Sequence, residues 1–276
     1  MLKIAVMMTV LFLLASVRMF AVDNEMIKVP GGTFMIGSTS VTVSPFSISK
    51  FDITQIEWTS VMGTNPSYFN TNVNNPVEQV SWYDGIVYCN KRSIKEGLTP
   101  VYSIRGSTDP STWGVVPKFV NSTWDAVIAD WEADGYRLPT EMEWMWAAMG
   151  ADTENPGQVN TNGYKKAFAG STGKNKIEDY AWVSGFSGTH PAGTKLPNEL
   201  GIYDLSGNVW QRCWDWYKPY YPGGALTNYH GGALGMQRVT RGGSWGNRPS
   251  FSAVANRDKD TPDSKDRFMG LRVVKP

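Results

Sequence analysis

Twelve tryptophans are spread through 276 residues that also carry 28 glycines and 16 prolines. No other feature restricts the choice of fold as much. A disordered chain needs few aromatics and a large unbalanced charge, whereas here aromatics make up 13% and the net charge is +1. Collagen, coiled coils and helical repeats are excluded too, because glycine is not periodic, no heptads run and no unit recurs. What remains is a globular chain, rich in turns, whose core is filled by large rings. The balanced charge also removes the long-range field on which a nucleic-acid or anionic-membrane surface depends.

Local signals predict few helices and many short strands. Thr54 caps a short helix carrying Ile56, Trp58 and Val61 and ended by Gly63. Ser81, with Asp84 three places on, caps a second helix with Ile86, Val87 and Cys89, stopped by Gly97. Thr140 and Glu143 form a capping box that opens a third, with Trp144, Ala147 and Ala148 as its apolar face. Residues 27–37 read as two short strands around Pro30-Gly31-Gly32, and 41–53 as further strand. The expected class is α+β, with about three helices, short strands and much irregular structure.

The amino terminus carries Lys3 and then an apolar run from Ile4 to Val17. That is the shape of a signal peptide, cleaved after Ala21, and the run is short for a membrane-spanning helix. An uncleaved anchor is the alternative. The expectation is a signal peptide over 1–21 and one domain over 25–276. The mature chain would be exported to the cell surface, the periplasm or the medium, as a monomer without a membrane span. Cys89 and Cys213 are the only cysteines, and His190 and His230 the only histidines. Two cysteines cannot supply a disulfide scaffold or a four-ligand zinc site, and the two histidines lie far apart with no metal-ligand spacing. Both thiols are expected to be buried and free.

Several motifs, in order, then identify a family. They are Val29-Pro30-Gly31-Gly32-Thr33-Phe34, Asn75-Pro76-Val77 ahead of Val80-Ser81-Trp82, and Arg137-Leu138-Pro139-Thr140-Glu141-Met142-Glu143-Trp144. Gly201-Ile202-Tyr203-Asp204-Leu205-Ser206-Gly207-Asn208-Val209-Trp210, Arg241-Gly242-Gly243-Ser244-Trp245 and Gly270-Leu271-Arg272 complete the set. Together they resemble the formylglycine-generating, or sulfatase-modifying factor, family over residues 27–276. The resemblance implies an elaborated C-type lectin-like fold.

It also implies what the site lacks. The family's oxidase places two copper-binding cysteines after Arg-Gly-Gly-Ser; the matching positions here are Asn247 and Ser252. Copper(I) prefers thiolate to an amide or a hydroxyl, so the family's oxidation chemistry is not expected. A family calcium site would map onto the Asp204 side chain, the Gly207 and Val209 carbonyls and the side chain of Gln211. Gln211 stands where a carboxylate is usual. A tight turn without metal is the other reading of that segment, and no required cofactor is expected.

Residues 246–268 behave differently. Between the fixed-looking frames Arg241–Trp245, Val254–Arg257 and Pro262-Asp263 stand Gly246, Asn247, Arg248, Ser250, Phe251, Asp258, Asp260, Asp266, Arg267 and Phe268. This resembles the variable tail of proteins diversified by retroelements that mutate template adenines. All ten residues are of types reachable from an Asn codon of the form AAY; Lys259 and Lys265 are not. Gly, Asn, Ser and Asp are also ordinary loop residues. The reading is an exported, non-catalytic ligand-binding protein whose ten positions share one exposed surface, for a ligand expected to be a protein. Trp210, Trp214, Trp216 and Trp245 would support that surface from beneath, or Trp245 would floor it. Val254, Ala255, Gly270 and Leu271 would be buried, and Arg241 and Arg257 held by carbonyls or carboxylates. The alternatives are an oxidase acting on sulfatases and a structural module of a surface assembly.

Overall fold

The computed structural model describes residues 24–276. The expected signal peptide over 1–21 lies outside the described residues. In chain order the elements are β1 (Met26–Val29), β2 (Gly32–Ile36), β3 (Thr39–Val43), β4 (Phe46–Ser49), α1 (Gln55–Met62), α2 (Trp82–Lys95), β5 (Tyr102–Ser103), α3 (Ser122–Asp125), β6 (Ile128–Ala129) and α4 (Glu141–Ala148). There follow β7 (Trp210–Trp216), β8 (Ala225–Thr227), β9 (Arg238–Arg241), β10 (Asp258–Asp260), β11 (Met269–Gly270) and β12 (Val274–Lys275).

The three expected helices form where their caps lie. Thr54 with Glu57, Ser81 with Asp84 and Thr140 with Glu143 each make both halves of a capping box. Gly63 ends α1 in the left-handed region at φ 83°. The fourth helix, α3, is a single turn that the sequence reading left as loop. Asn121 caps it, and Trp124 is its only buried residue. Propensity says little over four residues; burial of that one ring holds the turn in place.

The strands that flank Pro30-Gly31 do not pair with each other. β1 pairs with β4 and β2 with β3, both antiparallel. A Cβ on Gly31 would stand 2.9 Å from the Val43 carbonyl oxygen, so the two ribbons cross closely there. The chain then closes on itself, because β12 completes the β1-β4 sheet from its far side. β2, β3 and β8 form a second three-stranded sheet, and β5 and β6 a two-stranded one. The largest sheet has the order β10-β9-β7-β11, with β11 parallel to β7.

Two apolar clusters fill the interior. One gathers Trp144 and Trp146 of α4 with Phe34, Ile48, Cys213 and Val239. The other surrounds α2 with Trp82, Tyr83, Tyr88, Tyr102 and Leu271. Both cysteines are buried and free, and burial pushes each thiol well above the usual range. No helix among the described residues is long and apolar enough to cross a membrane.

A candidate ligand-binding face on a rigid frame

The frame begins at Arg241-Gly242-Gly243. Gly242 and Gly243 have φ of 97° and 74°, a region that costs any residue with a Cβ. At Gly243 a Cβ would also meet the Ser252 hydroxyl at 2.8 Å. This turn carries the chain off β9 and into the C-terminal segment. Arg241 then ties the two together. It donates to the carbonyls of Val254 and Asn256 at 2.9 and 2.7 Å and pairs with Glu141 at 2.8 Å. Arg257 grips the same carboxylate with two bonds, of 2.6 and 2.8 Å. Glu141 is buried at the start of α4, so one carboxylate anchors both arginines of the frame.

On this frame the ten sequence-predicted positions fall as follows. Gly246, Asn247, Asp258, Asp260, Asp266 and Phe268 line one cleft of about 220 Å³, together with Trp210 and Thr240. Arg248, Ser250 and Phe251 are exposed, on and beside the turn Pro249–Ser252. Phe251 is 39% exposed and meets Trp210 edge-on, with centroids 6.3 Å apart. Arg267 is exposed and lies over the Phe268 and Trp245 rings. Phe268 is half-buried, stacked on Trp245 at 4.8 Å. None of the ten is buried.

Not every one of them is a free side chain. The Asn247 Oδ1 accepts from the Ser244 hydroxyl at 2.6 Å and from the Ser244 N–H at 3.1 Å. A Cβ on Gly246 would come within 2.6 Å of the Phe268 ring, so these two positions are coupled. Asp266 accepts from the Phe268 N–H at 2.7 Å.

The supports are mostly as expected. Trp210, Trp216 and Trp245 are buried, but Trp214 is only half-buried. It stacks on Tyr102 and meets Trp131 edge-on at the border of a second cleft. Val254, Gly270 and Leu271 are buried; Ala255, expected to join them, is half-buried in a turn closed by the bond from Asn256 N–H to the Ala253 carbonyl.

Tyr68 and Phe69 were missed altogether. Phe69 meets Trp245 edge-on at 5.3 Å, and Arg267 stands over Tyr68 at 6.0 Å. They sit in an Asn-rich stretch nearly 180 residues earlier in the chain, and nothing local in the sequence joins them to the C-terminal face. Beneath their loop Glu78 is buried, accepting from the Phe69 N–H at 2.7 Å. Burial pushes its carboxyl up to about 7.

The electrostatics of the cleft are mixed. Asp258, Asp260 and Asp266 gather at its wall, with Lys259. Behind them Arg212 is buried, donating to the carbonyls of Val80 and Ser264. Burial pulls its guanidinium down to about 10, against the opposing pull of Asp260 and Asp266.

Of the expected calcium ligands, the Gln211 side chain is not available to a cation. The Gln211 Oε1 already accepts from Trp144 Nε1 at 2.6 Å and from Arg272 Nε at 2.8 Å. Its Nε2 donates to the Asp204 carbonyl. Both lone pairs of the only side-chain oxygen at 211 are therefore used. Two donors on one side fix the amide orientation, and the Arg272 guanidinium stands where a cation would be repelled. Asp204 accepts from the Gly193 N–H at 2.7 Å. With Gly207 and Val209 these residues build a tight turn: Asp204, Gly207 and Asn208 all have positive φ. Among the described residues no group of three or more His, Cys, Asp or Glu side chains is placed to hold a metal.

Few helices, short strands and long irregular connections braced by tryptophans define a C-type lectin-like fold of the formylglycine-generating type. Residues 16–276 match the sulfatase-modifying factor enzyme 1-like domain, and the chain belongs to that family. It is similar to the chaperone protein LppX of Paenibacillus barcinonensis, 36% identical over an alignment spanning 92% of this chain and 90% of that protein. The solved structure of Treponema denticola variable protein 1 superposes with a TM-score of 0.79 at 32% identity, covering 91% of this chain and 94% of the other. The formylglycine-generating enzyme of Streptomyces coelicolor is 34% identical over 56% of this chain and 51% of its own length. The oxidase's cysteine pair is absent here, because the only two cysteines, Cys89 and Cys213, are both buried.

Proposed function

We propose that this chain is an exported, non-catalytic ligand-binding protein whose C-terminal face is its binding site. The observation that carries the reading is the convergence of six predicted positions on one cleft, with the remaining four at or near its border. The frame beneath them is fixed by buried glycines, tryptophans and the Glu141 ion pairs, so side chains on the face can change while the backbone stays put. Phe251, Phe268 and Arg267 give it the exposed aromatic and arginine content typical of an interface anchor. That favours a protein ligand, as does the likeness to a protein named as a chaperone. The likeness to a variable protein supports diversification of the ten positions.

The test is a library in which Gly246, Asn247, Arg248, Ser250, Phe251, Asp258, Asp260, Asp266, Arg267 and Phe268 are randomised through NNY codons. Most members are expected to remain folded by thermal unfolding, while the same treatment of Val254, Gly270 and Leu271 unfolds them. A library no more tolerant than these core controls overturns the reading. A reverse transcriptase gene beside this one, with a near-copy of the segment's coding sequence, would tie the tolerance to diversification.

The likeness to formylglycine-generating enzymes carries a second reading, oxidation of a cysteine in a sulfatase peptide. Asn247 and Ser252 count against it, because neither offers copper(I) a thiolate. Copper-dependent oxygen uptake with a cysteine peptide would decide in its favour.

A further inference from the structure

A second cleft, of about 330 Å³, shares no lining residue with the first. Its wall includes Arg238 of β9, Asp125 of α3, the rings of Trp131, Trp214 and Trp216, and Leu234. Arg238 is 1% exposed. Its guanidinium lies between Trp82 and Trp216, 3.7 and 3.4 Å from their ring centroids. Its Nη1 donates to the Trp214 carbonyl at 2.6 Å, but its Nε is buried without an acceptor.

The other buried arginines differ. Arg137, Arg241 and Arg272 each have a carboxylate partner, and Arg212 has two carbonyls. Arg238 has no carboxylate within 4.0 Å. An uncompensated buried cation is costly, and burial pulls this guanidinium down to about 9. Asp125 borders the same cleft, bound to the Tyr83 hydroxyl at 2.7 Å and not to Arg238. A cation and an anion thus share one cavity without meeting, between aromatic walls.

We infer that this cleft binds a small zwitterion: a carboxylate on Arg238, an ammonium facing Asp125 and an apolar side chain against the tryptophans. A free apolar amino acid has that chemistry. A simple anion would be repelled by Asp125, and a simple cation by Arg238. The planar guanidinium, already immobilised between two rings, loses little freedom on receiving a carboxylate. Arg238 and Thr240 lie two apart on β9 and leave the same face of the strand, so this site borders the C-terminal face without being part of it.

The experiment titrates the full chain with L-phenylalanine to about 20 mM, following tryptophan fluorescence and the indole N–H resonances. N-acetyl-L-phenylalanine, which lacks the ammonium, and phenethylamine, which lacks the carboxylate, are the controls. L-phenylalanine is expected to bind, and each control to bind at least tenfold more weakly. Arg238→Gln should weaken L-phenylalanine about tenfold or more. Asp125→Asn keeps an acceptor for Tyr83; it should weaken L-phenylalanine while strengthening N-acetyl-L-phenylalanine. That crossover distinguishes a site from a general loss of structure. No response to L-phenylalanine, or equal binding of all three probes, overturns the inference.

Discussion

Glu141→Gln tests the frame most directly. In the wild type this buried carboxylate holds Arg241 at 2.8 Å and Arg257 at 2.6 and 2.8 Å. It also accepts from the Tyr221 hydroxyl at 3.2 Å. Gln keeps the shape and removes the charge, leaving two guanidinium groups without a counter-ion. Removing one member of a buried pair costs about 3–5 kcal/mol. The lower end applies here, because Arg241 keeps the Val254 and Asn256 carbonyls and Arg257 keeps that of Lys218. A domain of this size loses roughly 2–4 °C of Tm per kcal/mol, so a fall of about 6–12 °C is expected. Urea unfolding should show the midpoint shifted with its slope unchanged. The double variant with Arg257→Gln should lose less than the sum of the singles, since both act on one network. A Glu141→Gln loss below about 1 kcal/mol would refute the claim that this carboxylate holds the C-terminal segment to α4.

Other expectations can be checked with the same protein. Gly243→Ala should destabilise by about 1–2 kcal/mol in urea, because its backbone is left-handed and the new methyl meets Ser252. Glu78 titrates near 7 in the folded chain against 4.5 when unfolded. Between those values the native state binds the extra proton, so its contribution to stability is present below about pH 4.5 and falls as the pH rises to 7. Glu78→Gln should therefore gain on the wild type across that window; a parallel pair of stability curves would count against it. Calcium at millimolar concentration should leave Tm unchanged in a thermal scan, because Gln211 has no free lone pair to offer. Loading with copper(I) should not convert the cysteine of a sulfatase peptide to formylglycine by mass spectrometry, since Asn247 and Ser252 are not thiols.

Helix positions were legible in the sequence because capping is local: Thr54, Ser81 and Thr140 each meet their partners within three residues, before any tertiary contact forms. The family was legible for a related reason. Motifs such as Arg241-Gly242-Gly243 require particular residues, and at Gly243 only a residue without a Cβ fits both the backbone angle and the space beside Ser252. The absence of the oxidase cysteines was likewise fixed by residue identity alone. Pairing and side-chain direction were not. Nothing in residues 27–37 says that β1 seeks β4 and β2 seeks β3, because each partner is chosen by which apolar face it can bury. Gln211 could be aligned with a calcium ligand in one dimension, yet its oxygen faces Trp144 and Arg272, which come from 67 residues before it and 61 after. Tyr68 and Phe69 reach the C-terminal face, and Arg238 shares a cleft with Asp125, only because distant segments are brought together by packing the same tryptophan-rich core.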